Sequence, residues 1–348
     1  MSFPTRHAVA LTLCSLLIGA LVFQSAASAA DWTGVGAKLT HELDRAIDPS
    51  TSKQMSAESS TEQSAAYSLE SNPDTRIDTL SGLPFGWAFN VINAESAVRS
   101  VGGKARNPIA IIDTGTDVNH PDLAGAVVGS YNAVAGGTDV SDQFGHGTFV
   151  AGLIAMRHDN RIGGRGGAGD ASLLIAKASF RTSDPEHPTQ IDPEAVVRSI
   201  EWAASRGARV INLSFGSASD SEVLNDAMVA AADHGVLLVA AAGNEAERGN
   251  SLGYPAAAIT GERGSWGYGL SVAATKPDGS VADFSSHNSH ISVAAPAAGM
   301  TRCQQGVFST IPNATIASAF DYNKCRRNFN GLGSSAGRYA FSTGTSYA

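Results

Sequence analysis

Short, continuous apolar runs alternate with amphipathic helical patterns from about residue 84 onward, and this alternation limits the fold more than any other feature. The runs are 108–112, 173–178, 210–213, 236–242 and 270–274. A continuous apolar run of about 4–8 residues is typical of a strand that is buried on both faces. Parallel strands need right-handed crossover connections, and the intervening helical patterns supply them. The sequence therefore predicts an α/β fold with a parallel sheet as the middle of three layers.

Two helices between these runs carry start signals. Asp192 is a candidate N-cap with Pro193 at the first helical position, and Gly207 follows as the stop. In the next helix, Ser219 and Glu222 have the spacing of a capping box. Each helix has one apolar face, as expected of helices that cover a sheet.

Three polar residues lie at or just past the ends of predicted strands. Asp113 ends the first run, Ser214 follows 210–213, and Asn244 follows 236–242. Adjacent parallel strands end at the same edge of a sheet, and ligands bind at that edge in open α/β sheets. We therefore expect these three residues to lie close together.

His146 lies between two glycines at the start of a further helical pattern. Small residues recur along that helix at spacings of three and four, which lets other backbone approach closely: Gly147, Ala151, Gly152 and Ala155. A lone histidine at a helix start is usually a capping or packing residue. The other histidines, including His120, are read as surface or packing residues, whereas the combination with Asp113 and Ser346 favours chemistry at His146.

Asp113, His146 and Ser346 have the residue types of a catalytic triad. A serine hydroxyl becomes an effective nucleophile only when a base takes its proton, and a buried carboxylate usually orients that base. The chain order here is Asp, His, Ser, which is the order in subtilisin and differs from chymotrypsin and the α/β-hydrolases.

Six motifs surround these residues in a fixed order, and one Asp-Thr-Gly tripeptide alone would be a weak signal. They are Ile111-Ile-Asp-Thr-Gly115, His120-Pro-Asp-Leu123, Gly145-His-Gly-Thr148, Val210-Ile-Asn-Leu-Ser-Phe-Gly216, Ala241-Ala-Gly-Asn-Glu245 and Gly344-Thr-Ser-Tyr-Ala348. With all six, the chain resembles the subtilisin-like serine proteases (subtilases, peptidase family S8) over about 84–348. The resemblance implies the three-layer subtilisin-like fold.

The resemblance also implies a serine endopeptidase. Ser346 would be the nucleophile, His146 the general base and then acid, and Asp113 the group that orients the imidazole. Asn244 matches the side-chain donor of the oxyanion hole, and in subtilisin the loss of this donor costs about 10²–10³ in kcat. The ordinary alternative for Asn244 is a turn residue after Gly243.

Four residues match the family's substrate-binding positions, so the expected substrates are polypeptides. Ser214, Phe215 and Gly216 match the segment that pairs with the substrate backbone as an added strand. Gly253 matches the floor of the pocket for the residue before the cut, where a glycine leaves room for a large apolar or aromatic side chain.

Asp122 and Asn160 match positions where many relatives bind calcium. Calcium favours several oxygen ligands, whereas Arg157 and Arg161 flank Asn160 in the sequence. The prediction is therefore no metal and no other cofactor, with calcium as the alternative. The plain role for Asp122 is to cap the turn after Pro121.

The composition and the N-terminus limit partners and location. The net charge is −8 and no Lys/Arg cluster forms a patch, which argues against nucleic acid. Residues 1–30 read as a secretory signal with an apolar stretch at 8–23 and a cleavage site at Ala27-Ser28-Ala29. This stretch is short for a membrane span, and an uncleaved anchor is the alternative. We expect a secreted (extracellular or periplasmic) monomer without a stable membrane anchor.

Residues 31–81 are rich in Ser, Thr, Glu and Gln, which predicts a largely disordered pro-segment or linker before a catalytic domain at 82–348. Cys303 and Cys325 remain once the signal is removed. In an exported protein they most simply form one disulfide, which closes a loop of about twenty residues and contributes roughly 3 kcal/mol. Two free thiols are the alternative. The disulfide would staple a surface insertion at about 300–339.

The given sequence continues two residues past Ser346, whereas in relatives the nucleophile opens a long buried helix. A nucleophile near a chain end is held less firmly, and orientation strongly affects rate. We therefore expect this polypeptide, as a C-terminally truncated form, to be inactive or weak and a longer parent to be an endopeptidase. The alternatives are a peptide ligase or cyclase and an inactive peptide-binding relative.

Overall fold

The computed structural model describes residues 85–100, 107–158, 160, 162–184, 189–260, 267–299, 306–312 and 338–348. The predicted signal peptide, pro-segment and Cys303–Cys325 disulfide, and most of the predicted insertion at 300–339, lie outside these residues. No helix within the described ranges is long and apolar enough to cross a membrane.

A seven-stranded sheet forms the centre of the fold, and each pair of neighbouring strands in it is parallel. In spatial order its strands are β2 (Val127–Asn132), β3 (Leu173–Lys177), β1 (Ile109–Asp113), β6 (Val210–Leu213), β7 (Leu237–Ala241), β8 (Gly269–Thr275) and β9 (Val293–Pro296). All five apolar runs are strands of this sheet, with ends that differ from the predicted ones by at most one residue. The prediction of a parallel α/β sheet is confirmed.

Helices cover both faces of the sheet and make the three layers that the sequence predicts. They are α1 (Trp87–Val91), α2 (Ala94–Ser100), α3 (His146–Ala155), α4 (Pro193–Ser205), α5 (Glu222–Asp233) and α6 (Ala256–Ile259). Short 3-10 turns span Pro121–Leu123, Ala246–Arg248 and Thr345–Tyr347.

The helix caps were predicted correctly in one case and wrongly in the other. The Asp192 carboxylate accepts from the Glu194 N–H at 3.0 Å, as predicted for α4. Helix α5 is capped by Ser221, whose Oγ accepts from the Leu224 N–H at 3.4 Å, and not by Ser219. The Ser219 N–H instead donates to Ser217 Oγ, so this serine belongs to the preceding turn.

Strand β1 shows how the sheet separates two hydrophobic cores. Ile109 and Ile111 pack in the core that contains helix α3, whereas Ala110 and Ile112 pack in the core that contains α4 and α5. Successive side chains of a strand point to opposite faces, so a strand buried on both faces must be apolar throughout. This is the physical reason for the continuous apolar runs.

Two antiparallel hairpins outside the main sheet were not predicted. One pairs β4 (Ser179–Arg181) with β5 (Thr189–Ile191), and the other pairs β10 (Val307–Thr310) with β11 (Tyr339–Ser342). The second hairpin leads directly to the C-terminal turn that contains Ser346.

Helix α3 and strand β10 are joined through two hydroxyl groups. Ser309 Oγ donates to the Phe149 carbonyl at 2.6 Å, and Thr310 Oγ1 donates to the Thr148 carbonyl at 2.7 Å. A Cβ at Gly152 would overlap both hydroxyl oxygens. The small residue in the helix therefore permits the close approach that the sequence predicts.

Candidate active site

Three adjacent strands bring the predicted polar residues to one edge of the sheet. Strand β6 lies between β1 and β7, and the three run parallel with Ile112 beside Leu213 and Leu213 beside Ala240. Asp113, Ser214 and Asn244 therefore lie at the carboxyl ends of neighbouring strands, as the sequence predicts.

The structure places Asp113 and His146 in direct contact. His146 Nδ1 lies 2.7 Å from Asp113 Oδ1 and 2.9 Å from Oδ2. An ionised carboxylate can only accept, so Nδ1 carries the proton and the lone pair is on Nε2. The Thr114 N–H also donates to Asp113 Oδ1, at 2.7 Å, and fixes the carboxylate. The histidine tautomer therefore suits a general base that acts through Nε2.

The surroundings of His146 raise its pKa above the ordinary value. Burial acts in the opposite direction and would lower the pKa, because a buried imidazolium loses hydration. The charge and hydrogen bond of Asp113, together with the charge of Asp142, outweigh burial. The imidazolium is therefore stabilised at this position.

The glycine after His146 is required by the close approach of α3 to β1. A Cβ at Gly147 would overlap the Gly115 carbonyl oxygen and would lie 3.1 Å from Asp113 Cβ. Any larger residue would push the start of the helix, and His146 with it, away from Asp113.

Ser346 lies in the C-terminal 3-10 turn and forms two reciprocal hydrogen bonds with Ser214. Ser346 Oγ donates to the Ser214 carbonyl at 3.0 Å, and Ser214 Oγ donates to the Ser346 carbonyl at 2.8 Å. Asn212 Nδ2 donates to Ser214 Oγ at 2.8 Å. A hydroxyl has one proton, so in this rotamer the Ser346 proton is directed to the Ser214 carbonyl.

Tyr347 brings the same turn close to His146. Its ring centroid lies 5.3 Å from that of His146 and 4.5 Å from that of Phe149. The residue after Ser346 thus packs against the first turn of α3, so the structure brings Asp113, His146 and Ser346 into one region.

Asn244 is oriented by Thr345, a residue that the sequence reasoning missed. Asn244 Oδ1 accepts from the Thr345 N–H at 3.0 Å and lies 3.1 Å from Thr345 Oγ1. Thr345 Oγ1 itself accepts from the Gly243 N–H at 3.1 Å, so its proton is available to Asn244. Because these contacts occupy Oδ1, the Nδ2 group is the donor that remains. The signal was present only as the residue before Ser346 in the last motif.

A cavity of about 210 Å³ adjoins Ser346 and Asn244. Its walls are the segments 215–218 and 251–253, which include the predicted residues Phe215, Gly216 and Gly253. Two main-chain hydrogen bonds of 2.8 and 2.9 Å join the walls at Ser217 and Tyr254. Glu245 also lines the cavity and was not predicted.

Asp122 and Asn160 are in contact, but the asparagine presents its N–H group to the carboxylate and does not present its oxygen beside it as a calcium ligand would. Asn160 Nδ2 donates to Asp122 Oδ1 at 2.6 Å, while Asn160 Oδ1 accepts from the Ile162 N–H at 3.0 Å. Asp122 Oδ2 accepts from the Gly164 N–H at 3.2 Å and from the Tyr339 hydroxyl at 3.3 Å. Calcium needs oxygen lone pairs, and here hydrogen-bond donors occupy those of the carboxylate. This arrangement does not fit the ion.

His120 and Asp122 are both fully buried. Burial lowers the pKa of His120 to about 4, and a nearby Arg338 charge acts in the same direction against a hydrogen bond to the Arg338 carbonyl. Burial raises the pKa of Asp122 to about 6, against its hydrogen bonds from Asn160, Gly164, Tyr339 and Arg157. The packing role predicted for His120 agrees with this position.

The comparisons with known proteins all indicate the same family. Residues 107–348 match the Subtilase family profile. Thermitase of Thermoactinomyces vulgaris is 35% identical over 211 residues, which cover 60% of this chain and 67% of thermitase. Subtilisin DY of Bacillus licheniformis is 35% identical over 239 residues, covering 68% of this chain and 77% of the relative. The minor extracellular protease Epr of Bacillus subtilis is 34% identical over 193 residues, and this chain spans only 27% of Epr. The chain belongs to the subtilase family of serine peptidases.

Proposed function

We propose that this chain is a secreted serine endopeptidase that hydrolyses polypeptides through an acyl-enzyme. The observation that carries the proposal is the hydrogen bond between Asp113 and His146 Nδ1, because it puts the lone pair of the imidazole on Nε2. Tyr347, the residue after Ser346, packs against the same imidazole. The family assignment supplies the class of reaction, and the residue roles are inferred from geometry.

Acylation starts with rotation of the Ser346 side chain away from the Ser214 carbonyl. The hydroxyl proton passes to His146 Nε2 as Oγ attacks the carbonyl carbon of the substrate. The carbonyl oxygen gains negative charge, which Asn244 Nδ2 stabilises by donating a hydrogen bond. His146 then gives its proton to the leaving amine, and the Oγ–acyl bond remains.

Deacylation repeats these steps with water as the nucleophile. His146 takes a proton from the water, the tetrahedral intermediate collapses, and the proton returns to Ser346 Oγ. Asp113 remains ionised throughout and stabilises the imidazolium that forms in each half of the reaction. The raised pKa of His146 agrees with this role.

The cavity next to Ser346 is proposed to bind the side chain that precedes the cut. Gly253 lies on its wall, and a glycine there adds no side chain to the cavity. We expect the pocket to accept a large apolar or aromatic side chain, while Ser214, Phe215 and Gly216 would pair with the extended substrate backbone. Cleavage of a peptide library mainly after charged residues would contradict this preference.

We propose that the reaction needs neither calcium nor another cofactor. The support is the Asn160 amide, which presents its N–H group and not its oxygen to Asp122. The proposal that the protein is secreted rests on residues 1–30, which resemble a secretory signal. The proposal that it is a monomer rests on the sequence alone.

A fluorophosphonate probe tests the function directly, because it reacts only with an activated serine. Labelling of Ser346 in the wild type, with none in Ser346→Ala and unchanged labelling of Ser219→Ala as the matched control, would support the proposal. Mass analysis of peptide products should show hydrolysis at internal bonds. Products joined to an added amine would indicate a ligase, and an unlabelled wild type would indicate a peptide-binding relative.

A further inference from the structure

We infer that Asp142 is a positioning residue, whose buried carboxylate holds the start of helix α3 against the end of strand β1 and so keeps His146 on Asp113. The inference rests on the proposed function, since its consequence is the alignment of the general base. Asp142 belongs to none of the six motifs that carry the family resemblance.

The carboxylate of Asp142 is surrounded by hydrogen-bond donors. Asp142 is buried, with 3% of its surface exposed. Its Oδ1 accepts from Thr114 Oγ1 at 2.9 Å, the Phe144 N–H at 3.0 Å and the Gly145 N–H at 2.8 Å. Its Oδ2 accepts from the Thr148 N–H at 2.9 Å and from Thr148 Oγ1 at 2.6 Å. Five donors therefore converge on the two oxygens of one carboxylate, which holds the donor segments together.

Two of these bonds replace the missing cap of helix α3. The first N–H groups of a helix lack intrahelical partners, and Gly145 at the N-cap position has no side chain to accept from them. Asp142 reaches them from upstream and accepts from Gly145 and Thr148. Its negative charge also lies at the positive end of the helix, which is favourable. The turn that carries His146 is therefore fixed by this carboxylate.

Thr114 connects the same carboxylate to the residue beside Asp113. Its Oγ1 donates to Asp142 and accepts from the Gly147 N–H at 2.9 Å. Thr114 directly follows Asp113, and Gly147 directly follows His146. The Asp142–Thr114–Gly147 link thus runs parallel to the Asp113–His146 hydrogen bond and restrains the same two segments.

Thr148 makes a second link of the same kind. Its Oγ1 donates to Asp142 and accepts from the Asp117 N–H at 3.0 Å. Two threonine hydroxyls therefore connect the Asp142 carboxylate to both segments. Thr114, in the loop after β1, links it to Gly147 of α3, and Thr148 of α3 links it to Asp117 in that loop. Orientation within an ångström affects rate by about 10²-fold.

The charge of Asp142 adds to the positional effect. Within the described part of the chain, the titratable groups that face His146 include Asp113 from β1, Asp142 from the loop before α3 and Tyr347 from the C-terminal turn. The charges of Asp113 and Asp142 both favour the imidazolium. Loss of the Asp142 charge should therefore make His146 easier to deprotonate.

The test replaces Asp142 by its neutral isostere and measures both rate and proton affinity. For Asp142→Asn we expect kcat to fall on the order of 10–100-fold with little change in KM. The acid limb of kcat/KM should move to lower pH, and histidine NMR should show a lower titration midpoint for His146. Asp139→Asn, an exposed carboxylate in the same loop, is the control and should match the wild type.

A threonine pair keeps the test decisive if Asp142→Asn fails to fold. Thr114→Val removes the relay hydroxyl and should lower kcat, whereas Thr114→Ser keeps the hydroxyl and should restore it. An effect on melting temperature alone, with kcat and both midpoints unchanged, would overturn the inference. Because NMR needs no turnover, a lower His146 midpoint in a wild type that does not hydrolyse peptides would reject the proposed function but not the charge effect.

Discussion

Two Asp/His sets in this molecule differ in which atoms of the carboxylate and the imidazole face each other. In the Asp113/His146 set the carboxylate contacts the imidazole directly at 2.7 Å. In the His120/Asp122 set, His120 Nδ1 accepts from the Asp122 N–H at 3.1 Å and Nε2 donates to the Arg338 carbonyl at 3.0 Å. The Asp122 carboxylate is turned away, towards Asn160 and Tyr339.

The two sets consequently have opposite electrostatics. Contact with a carboxylate raises the pKa of His146, whereas burial without such contact lowers that of His120 to about 4. The comparison teaches that residue type and burial do not make a base. A carboxylate must compensate the imidazolium, and that depends on which atoms face each other.

The largest expected difference between the sets is in catalysis. His146→Ala should reduce kcat on a peptide substrate by about 10⁶-fold, the loss recorded when subtilisin lacks its triad histidine. His120→Gln should leave kcat within about threefold, because this side chain lies in a packed network and not beside Ser346, although it should lower the melting temperature. If kcat fell by a similar factor in both variants, the two histidines would not differ in function as proposed.

The next difference is in the pH dependence of activity. A general base works when deprotonated, and the pKa of His146 is raised above 6.5. The acid limb of kcat/KM should therefore have its midpoint above pH 6.5, with activity falling as the pH falls through it. Far-UV circular dichroism over the same pH range serves as the control for unfolding. A midpoint below 6.5 would contradict the role of the Asp113 contact.

The smallest expected effect concerns stability at acid pH. As the pH falls from 7 to 4, folded Asp122 (pKa about 6) binds a proton before the unfolded group does, which stabilises the fold. Over the same range unfolded His120 is protonated before the folded group (pKa about 4), which destabilises the fold. The two contributions have opposite signs and largely cancel in the wild type.

Single variants separate these contributions in urea unfolding at each pH. As the pH falls from 7 to 4, the free energy of unfolding of His120→Gln should rise relative to that of the wild type, and that of Asp122→Asn should fall. Each change should be up to roughly 3 kcal/mol. If the free energy of unfolding changed with pH in the same way in both variants, the two groups would not titrate as their burial implies.

Features with a local sequence signal could be predicted. The strands follow from apolar runs, the start of α4 from Asp192, and the shared edge of Asp113, Ser214 and Asn244 from the order of parallel strands. The cap of α5 was missed because Ser217, Ser219 and Ser221 alternate with other residues, and only the path of the turn decides between them.

Features built by long-range contacts could not be predicted. Thr345 and Asn244 are 101 residues apart, and Ser309 and Phe149 are 160 apart, so no spacing or periodicity marks these pairs. Asp142 makes four of its five hydrogen bonds to residues 144–148, but the fifth, from Thr114, exists only once α3 lies against β1. The direction of the Ser346 hydroxyl is likewise a rotamer, on which the sequence carries no information.

The hairpin of β10 and β11 has a consequence for variation among related chains. Val307 pairs with Ser342 at the end nearest Ser346, and Thr310 pairs with Tyr339 at the other end. Residues inserted between Thr310 and Tyr339 would enter at the far end, and closing a longer connection adds little entropic cost. Evolution can therefore lengthen or shorten this part of the chain while the nucleophile keeps its place.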